Sequence, residues 1–580
     1  MKKLTEKQIM QTLKEMLREY NWLSRYSLRY KAEVLWYVLT GILGTLISLA
    51  GSVLSKHIID AVTGFNSSGI LTAFVFYVLM QLSQIAIHAV SSRISTKISI
   101  RVNQQITAQV YDKLLDTDWE ALSGYHSGDL LTRVVGDVST VSSSVLGWFP
   151  DLCTRMLQFV GTFAVILYYD STLALLALLS APVTLLMSRY VIRMMRHHNQ
   201  QMRQLSSEMM IFNEESFRNI QLIKAFDRTE SYSEKHRQLQ SRYMDTSMEF
   251  NRFSIRKNTI MSLVGTVVTL VCFSWSIYRL WFGHITYGTM TMFLQLASAL
   301  AGAFSALAGL IPSAISATTA AGRIMALMEL PSEDRKDAQE TEAFARAHTT
   351  STLSVRAQGL SYSYEDGTQV LSGADFRADS RQIVAIVGPS GEGKTTLLRL
   401  LLGIVRPKAG TLELYAEDGN AIAVSPSTRQ FFAYVPQENT LFSGTIAENL
   451  RLIKSNATED EMYAALKLAC ADDFVRKLPL GLHSPVKEQG GGFSEGQLQR
   501  LSIARALLSD APILLMDEAT SALDMETEQQ ILHNIMSSQK GRTCIVTTHR
   551  PSVLKISHRV YSIRQDRIEQ IPVAEYSVSV

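Results

Sequence analysis

The chain has only four cysteines in 580 residues, Cys153, Cys272, Cys470 and Cys544, with no C-x-x-C pair and no metal-ligand spacing. A disulfide framework or a zinc module needs clustered thiols, so neither is expected; the four read as small buried hydrophobes, the first two inside apolar helices. Excess charge is also lacking: 56 Lys and Arg against 53 Asp and Glu leave a net +3, and no nucleic-acid partner is expected. The most informative absence is local. Residues 34–55, 69–92, 156–169, 171–188, 259–278 and 280–322 contain no Asp, Glu, Lys or Arg, a pattern that the ordinary overall hydrophobic content of 47% conceals. Uncharged runs of about twenty residues are what a helix needs to cross a hydrocarbon core. The N-terminal half is therefore a membrane domain, and the length of the chain calls for at least one further domain.

Six spans are expected, at about 32–58, 69–92, 145–169, 171–190, 259–281 and 287–311. The connections after the second and fourth are long and basic, carrying Arg93, Lys97, Arg101, Lys113 and Arg133, then Arg189, Arg193, Arg196, Arg203, Arg218 and Lys224. The bias of positive charge toward the cytoplasm places these connections and both termini inside, with Lys56 and Arg279 as outnumbered exceptions. Trp36, Trp148, Tyr168, Tyr169, Trp281 and Tyr287 stand where an aromatic belt belongs. Residues 1–31 alternate basic and apolar positions at helical spacing, which fits a helix on the membrane surface or an ordinary solvated helix. The charged stretch ahead of the first apolar run, near residue 34, disfavours a cleaved signal peptide, and the absence of Cys from those 31 residues disfavours a peptide-cleaving domain. Asp151 and Arg155 stand four apart and share a helix face, either as a structural ion pair or facing a cavity. The small residues Ala297, Ala299, Ala301, Gly302, Ala306 and Gly309 of the sixth span, with Pro312 beyond, fit close helix packing.

The polar, charged run 331–342 marks a domain boundary, so 1–330 is read as the membrane domain, 331–350 as a linker and 351–580 as an α/β domain. Within the last, residues 388–395 read Gly-Pro-Ser-Gly-Glu-Gly-Lys-Thr between a β-branched apolar run, 381–387, and a helical pattern, 397–402. Gly388, Gly391 and Gly393 let the backbone aim successive N–H groups at phosphate oxygens over a helix N-terminus. Lys394 would reach the β- and γ-phosphates, and Thr395 would offer its hydroxyl to Mg²⁺. Further on, an apolar strand ends in Asp517 and Glu518, suited to holding Mg²⁺ through water and to polarising the attacking water as general base. Ser494-Glu-Gly-Gln497 opens a helix whose N–H groups make a second phosphate-facing surface, and His549 follows a β-rich run where it could touch a γ-phosphate.

The joint order of these motifs resembles a half-transporter of the ATP-binding cassette (ABC) superfamily, of the exporter type. In that type an all-α six-helix transmembrane domain is followed by one α/β P-loop NTPase, the ABC ATPase domain. The resemblance rests on the phosphate loop, on Gln437 in Tyr434-Val-Pro-Gln437, on Phe493-Ser-Glu-Gly-Gln497 as the family signature, on Asp517-Glu518, on Ser521-Ala-Leu-Asp524 and on His549. It implies that ATP is held by Gly388, Pro389, Ser390, Gly391, Gly393, Lys394, Thr395 and Thr396, with Tyr364 stacked on adenine and Thr395, Gln437 and Asp517 serving Mg²⁺. Ser494, Gly496, Gln497 and Asp524 would meet the nucleotide of a partner half-transporter, and Glu518, His549 and Lys394 would carry the hydrolysis. In the membrane half, 127–133 with Asp137 is similar to the first cytoplasmic loop of such exporters, and Glu214 with 219–226 to the second. Short helices near 117–124 and 211–217 would dock on the ATPase domains, with Glu488 close by.

What the resemblance implies is an integral protein of the cytoplasmic membrane, its ATPase domain inside, exporting a hydrophobic or amphipathic drug, lipid or peptide. An importer on the same scaffold, or a membrane-anchored regulatory ATPase, stand as alternatives. One position departs from the family: Glu495 replaces the first Gly of Ser-Gly-Gly-Gln and adds a carboxylate where a partner's γ-phosphate should lie. Either the chain pairs with a different subunit, with Glu495 facing a weak site, or Glu495 turns to solvent in an active homodimer.

Overall fold

The computed structural model describes residues 18–572 apart from 20, 27, 65–68, 148, 179–200, 203, 349–351, 365, 438–440, 488–490 and 539–540. Most of the expected N-terminal surface helix, most of the fourth expected span, Trp148 and Glu488 therefore lie outside the described residues. The chain divides into two compact units, residues 1–115 with 125–329 and residues 116–124 with 330–580.

The first unit is helical. Its main helices are α1 (Lys31–Thr63), α2 (Ile70–Leu115), then, past the short helix described below, α4 (Val138–Gly147), α5 (Phe149–Tyr169), α6 (Ser171–Leu178), α7 (Ile220–Ala225), α8 (Thr229–Trp281) and α9 (Tyr287–Met328). Among the described residues, α1, α2, α8 and the stretch Pro150–Tyr169 are long and apolar enough to cross a membrane. α9 contains the sixth expected span. At 46 residues α2 is about 70 Å long, more than twice what a bilayer core requires. The second short helix expected near 211–217 is instead part of a longer helix ending at 218, followed by α7.

The unit is apolar on its outside as well as its inside: Trp36, Phe74, Leu82, Ile85, Tyr168 and Trp281 are exposed. A surface of this kind is stable only where lipid or another protein surface covers it. Ile166, Leu173, Cys272, Phe293, Leu296 and Leu300 form the core that joins α5, α6, α8 and α9. Polar ties hold the helix ends. The Asp170 carboxylate accepts the N–H groups of Thr172 and Leu173 and pairs with Arg279 at 3.0 Å. Asp60 at the end of α1 accepts Thr286 Oγ1–H and Gly288 N–H, both at 2.8 Å, and so secures the start of α9. Asp151 and Arg155 do not pair with each other: Asp151 accepts the hydroxyl of Tyr37 at 3.0 Å and Arg155 donates to Gln158 at 3.0 Å. A tyrosine on another helix reaches the carboxylate where the in-helix cation does not.

In the second unit, β1 (Ser354–Ser363), β2 (Gln369–Ala378), β4 (Ala409–Tyr415) and β5 (Ala421–Ala423) form an antiparallel sheet in the order β2-β1-β4-β5. A larger sheet runs β12-β11-β3-β10-β9-β6, made of β3 (Ile383–Val387), β6 (Phe432–Val435), β9 (Ile513–Asp517), β10 (Thr543–Thr547), β11 (Arg559–Arg564) and β12 (Arg567–Ile571). It is parallel from β11 to β6, with β12 as an antiparallel edge. A small ribbon pairs β7 (Gly444–Thr445) with β8 (Pro485–Val486). β3, β9 and β10 are buried at every position, which is why they read as unbroken apolar runs and not as alternations.

The short helix α3 (Trp119–Ser123) belongs to this unit although it lies between α2 and α4 in sequence. Asp118 caps it, Asp118 N–H donates to Pro331 O at 2.9 Å and Glu333 N–H to Asp116 O at 2.9 Å, and Tyr362 Oη–H donates to Glu120 at 2.6 Å. The run read as a linker contains a helix, α10 (Ala338–Ala347), that buries Thr341 and Phe344. Its inward face, Thr341, Phe344 and Ala345, carries only one large apolar side chain. All four cysteines are free thiols, Cys272 and Cys544 fully buried, and burial pushes the Cys544 thiol up to about 12, so it is not reactive.

Candidate functional site

The phosphate loop leaves β3 and enters α11 (Lys394–Leu401). Two of its glycines are dictated by space. A Cβ on Gly388 would stand 2.4 Å from the carbonyl oxygen of Ile563, and one on Gly393, whose φ is +99°, would stand 2.3 Å from Val370 Cγ1. Only glycine allows this approach, and it leaves Pro389, Ser390 and Gly391 exposed at the crest of the loop. Lys394 opens the helix with its side chain buried and donates from Nζ to Gly388 O at 2.7 Å, so the ammonium points back under the loop.

Neighbouring parallel strands bring the other candidates to the same edge. The phosphate loop follows β3, Gln437 follows β6, Glu518 follows β9 and His549 follows β10; the C-terminal edge of such a sheet is where α/β folds bind ligands. Lys394 Nζ lies 3.2 Å from Glu518 Oε1 and 2.5 Å from His549 Nε2, while Gln437 Nε2 donates to Glu518 Oε2 at 3.0 Å. An ammonium has no lone pair, so His549 Nε2 accepts from it and the imidazole proton is held on Nδ1.

Glu518 has φ +47°, in the left-handed region that a non-glycine residue enters only when its surroundings force it. Thr547 holds it there: its hydroxyl accepts Glu518 N–H at 2.9 Å and donates to Asp517 Oδ1 at 2.8 Å, so one side chain holds the Asp517 carboxylate and the Glu518 main chain. Asp517 is also met by Tyr434; burial first, then the negative charge of Asp517, push that phenol up to about 12.

Thr395, Gln437 and Asp517 supply a hydroxyl, an amide oxygen and a carboxylate. These hard oxygen donors suit Mg²⁺ that keeps several waters, and Gln437, donating through its nitrogen, has its oxygen to spare. Among the described residues no group of three or more His, Cys, Asp or Glu could hold a metal unaided. Tyr364 packs edge-on to Tyr362 with centroids 5.1 Å apart, its hydroxyl 2.9 Å from Thr396 Oγ1 on α11.

The signature residues form a separate group. Ser494 caps α12 (Glu495–Leu508): its hydroxyl accepts Gln497 N–H at 3.3 Å, and Gln497 Oε1 accepts Ser494 N–H at 2.9 Å. Gly496 lies close under Ala522, whose carbonyl a Cβ would reach at 3.0 Å. Glu495 is exposed. Asp524 caps α13 (Met525–Ser537), accepting Thr527 N–H and Oγ1–H at 2.8 Å each. Among the described residues no hydrogen bond or ion pair links Ser494–Gln497 to the phosphate loop. Sequence reading missed Thr547, Tyr434, Gln499 and Arg550. Gln499 ties α12 to Ser521 and Ala522, and Arg550 donates to the carbonyls of Ser521 and Leu523. No local pattern distinguishes these residues, because their partners lie more than twenty positions away in the chain.

Residues 34–304 match the family model described as ABC transporter transmembrane region, and residues 371–521 match the ABC transporter model. Similar proteins include a multidrug resistance ABC transporter ATP-binding and permease protein of Lactococcus lactis, 26% identical over 92% of this chain and 88% of the relative. Another is the ATP-dependent lipid A-core flippase of Desulfotalea psychrophila, 29% identical over 77% and 78%. The solved structure of a bacterial Atm1-family ABC exporter with ATP bound superposes with a TM-score of 0.81 over 94% of this chain and 96% of that one, at 22% identity, so the fold is shared.

Proposed function

Since the chain belongs to the ABC transporter family, carrying the transmembrane and ATP-hydrolysing regions in one polypeptide, we propose that it exports a hydrophobic or amphipathic solute across the cytoplasmic membrane. Drug, lipid and peptide cargoes all fit. The relatives described above, named for multidrug resistance and for lipid A-core flipping, support the direction. The observation that carries the reading is the convergence of Lys394, Glu518, Gln437 and His549 on one sheet edge.

The chemistry follows from the resting contacts. Lys394 exchanges Glu518 for the β- and γ-phosphates of ATP, the phosphate loop N–H groups hold the remaining oxygens, and Tyr364 turns to stack on adenine. Released from Lys394, Glu518 accepts a proton from the water that attacks the γ-phosphorus, and the bond to the ADP oxygen breaks to give ADP and phosphate. With Lys394 turned to the phosphates, His549 Nε2 no longer accepts from it, and the imidazole, with its proton moved to Nε2, gives a hydrogen bond to the γ-phosphate oxygens. Thr395, Gln437 and Asp517 would hold Mg²⁺, which would supply neutralisation of the triphosphate charge.

The signature is separate from the phosphate loop within one chain, so Ser494, Gly496 and Gln497, with Asp524 beside them, complete the site of a second half-transporter. That partner is either another copy or a different subunit whose nucleotide faces Glu495. For ATP to drive the membrane units outward, it must bind the closed pair better than the open one by several kcal/mol. Reconstituted vesicles containing the chain alone, loaded with a fluorescent amphipathic drug or a labelled lipid, should show transbilayer movement that requires ATP. ATP-dependent movement in the importing direction, or ATPase activity with no cargo moved by the chain alone or with a partner subunit, would refute it.

A further inference from the structure

A cavity of about 110 Å³ lies between α1, α2 and α9, lined by Ser48, Ser52, Tyr77, Gln81, Gln84 and Gln295. The six uncharged polar side chains border one recess of a membrane-spanning bundle, Ser48, Gln81 and Gln295 exposed and Ser52, Tyr77 and Gln84 half-buried, and the arrangement has two explanations. Such residues can glue helices together through interhelical hydrogen bonds, or they can wait for a group from outside.

The hydrogen bonds decide between them. Gln81 donates to Tyr77 within its own helix at 2.9 Å, and Ser52 donates to Ser48 O within its own helix at 3.1 Å. Among the described residues, none of the six bonds across to another helix, and the side-chain oxygen of Gln84 is buried with no partner. An amide oxygen left bare in this setting costs on the order of 2 kcal/mol or more, so a donor from elsewhere is called for. No Asp, Glu, Lys or Arg lines the cavity, which disfavours a charged guest. Its volume is well below the roughly 300 Å³ of a pocket that engulfs a drug-sized molecule, so it admits a head group only.

We propose that this cavity is a subsite for the uncharged hydroxyl- or amide-bearing head group of an amphipathic cargo, with Gln84 accepting from it and Gln81 and Gln295 donating to it. The inference rests on the export reading for its role, not for its existence. The subsite sits about 12 Å along α9 from Tyr287 and about 17 Å along α2 from Ile70. In the proposed topology it therefore holds the head group near the middle of a hydrocarbon core about 30 Å thick.

Gly51 lines the cavity, and a Cβ built there meets nothing within 4 Å, so a larger side chain would fill the space without breaking a hydrogen bond. The test uses the full chain in lipid nanodiscs and two photoreactive probes with the same diazirine-bearing octyl chain, one with a glucoside head and one with a trimethylammonium head. The glucoside should label residues around Gly51 and Gln84. Gly51→Leu and Gln84→Leu should each cut that labelling at least tenfold, and Gly51→Ala should retain it and leave basal ATPase activity unchanged. Equal labelling by the ammonium probe, or glucoside labelling that Gly51→Leu leaves intact, overturns the subsite. Transport of the glucoside is followed in parallel: normal labelling without ATP-dependent movement supports the subsite and counts against export of this probe, and movement without labelling does the reverse.

Discussion

Replacing Glu518 by Gln keeps the shape of the side chain and removes its charge, and the two consequences point in opposite directions. Turnover should fall by a factor of about 10²–10⁴, because an amide cannot take the proton of the attacking water. ATP binding should tighten. In the resting site Lys394 Nζ is 3.2 Å from the Glu518 carboxylate, a pair worth about 5 kcal/mol at an effective dielectric of 20 and about 1.3 kcal/mol in water. The Glu518 side chain is 23% exposed, so the real figure lies between, and only part of it is recovered because Gln can still accept from Lys394. Even the lower bound corresponds to roughly a tenfold gain in affinity, and the repulsion between carboxylate and triphosphate disappears as well. Steady-state ATPase activity and equilibrium binding of a fluorescent Mg·ATP analogue, both on the full chain in nanodiscs, measure the two effects. Turnover within tenfold of the parent, or affinity that falls along with turnover, would mean that Glu518 serves to hold the nucleotide and is not the base.

Three further outcomes are expected. Glu120→Ala removes the hydrogen bond from Tyr362, which packs against Tyr364, and should lower transport per ATP hydrolysed severalfold while the KM for ATP stays within about twofold; parallel loss of both activities would show only a damaged ATPase unit. Glu495→Gly removes a carboxylate worth about 1–4 kcal/mol of repulsion at a partner's γ-phosphate, so the ATPase activity of the chain expressed alone should rise at least fivefold, and an unchanged rate would assign Glu495 to solvent. His348 has Nε2 2.9 Å from Asp418 and Nδ1 2.9 Å from Phe344 O, two acceptors that both nitrogens can satisfy only as imidazolium, and the hydrogen bond to Asp418 raises its pKa. Because the folded value lies above the unfolded one of about 6.5, this contribution is complete below pH about 6.5 and fades as pH rises through the raised value. Melting temperatures of the parent should therefore fall relative to His348→Gln between pH 6 and 8.5, and parallel curves would contradict the assignment.

The legible parts of the molecule were those written in contiguous residues. The phosphate loop, the paired carboxylates at the end of β9 and the capped start of α12 each depend on neighbours within eight positions, so composition and spacing suffice to find them. Charge-free runs marked the membrane half for the same reason. What stayed hidden depends on distant partners. Thr547 orients Asp517 from 30 positions away, and Tyr37 takes Asp151 from 114, displacing the Arg155 that helical spacing suggested. Docking of α3 on the ATPase unit is expected from the family resemblance alone; composition and spacing give no sign of it, because the carbonyl of Pro331 and the hydroxyl of Tyr362 that hold it lie far down the chain. The helix at 338–347 was obscured by its charge and by its weak apolar residues: Thr341, Phe344 and Ala345 share the inward face, and only Phe344 is large and apolar.

The left-handed backbone of Glu518 leaves one dihedral angle under tension at the reacting edge. Glycine there would ease the main chain by about 1–3 kcal/mol, yet it would strip the buried Lys394 of the carboxylate 3.2 Å away, so relief of the backbone and loss of the ion pair oppose each other while the transporter stalls.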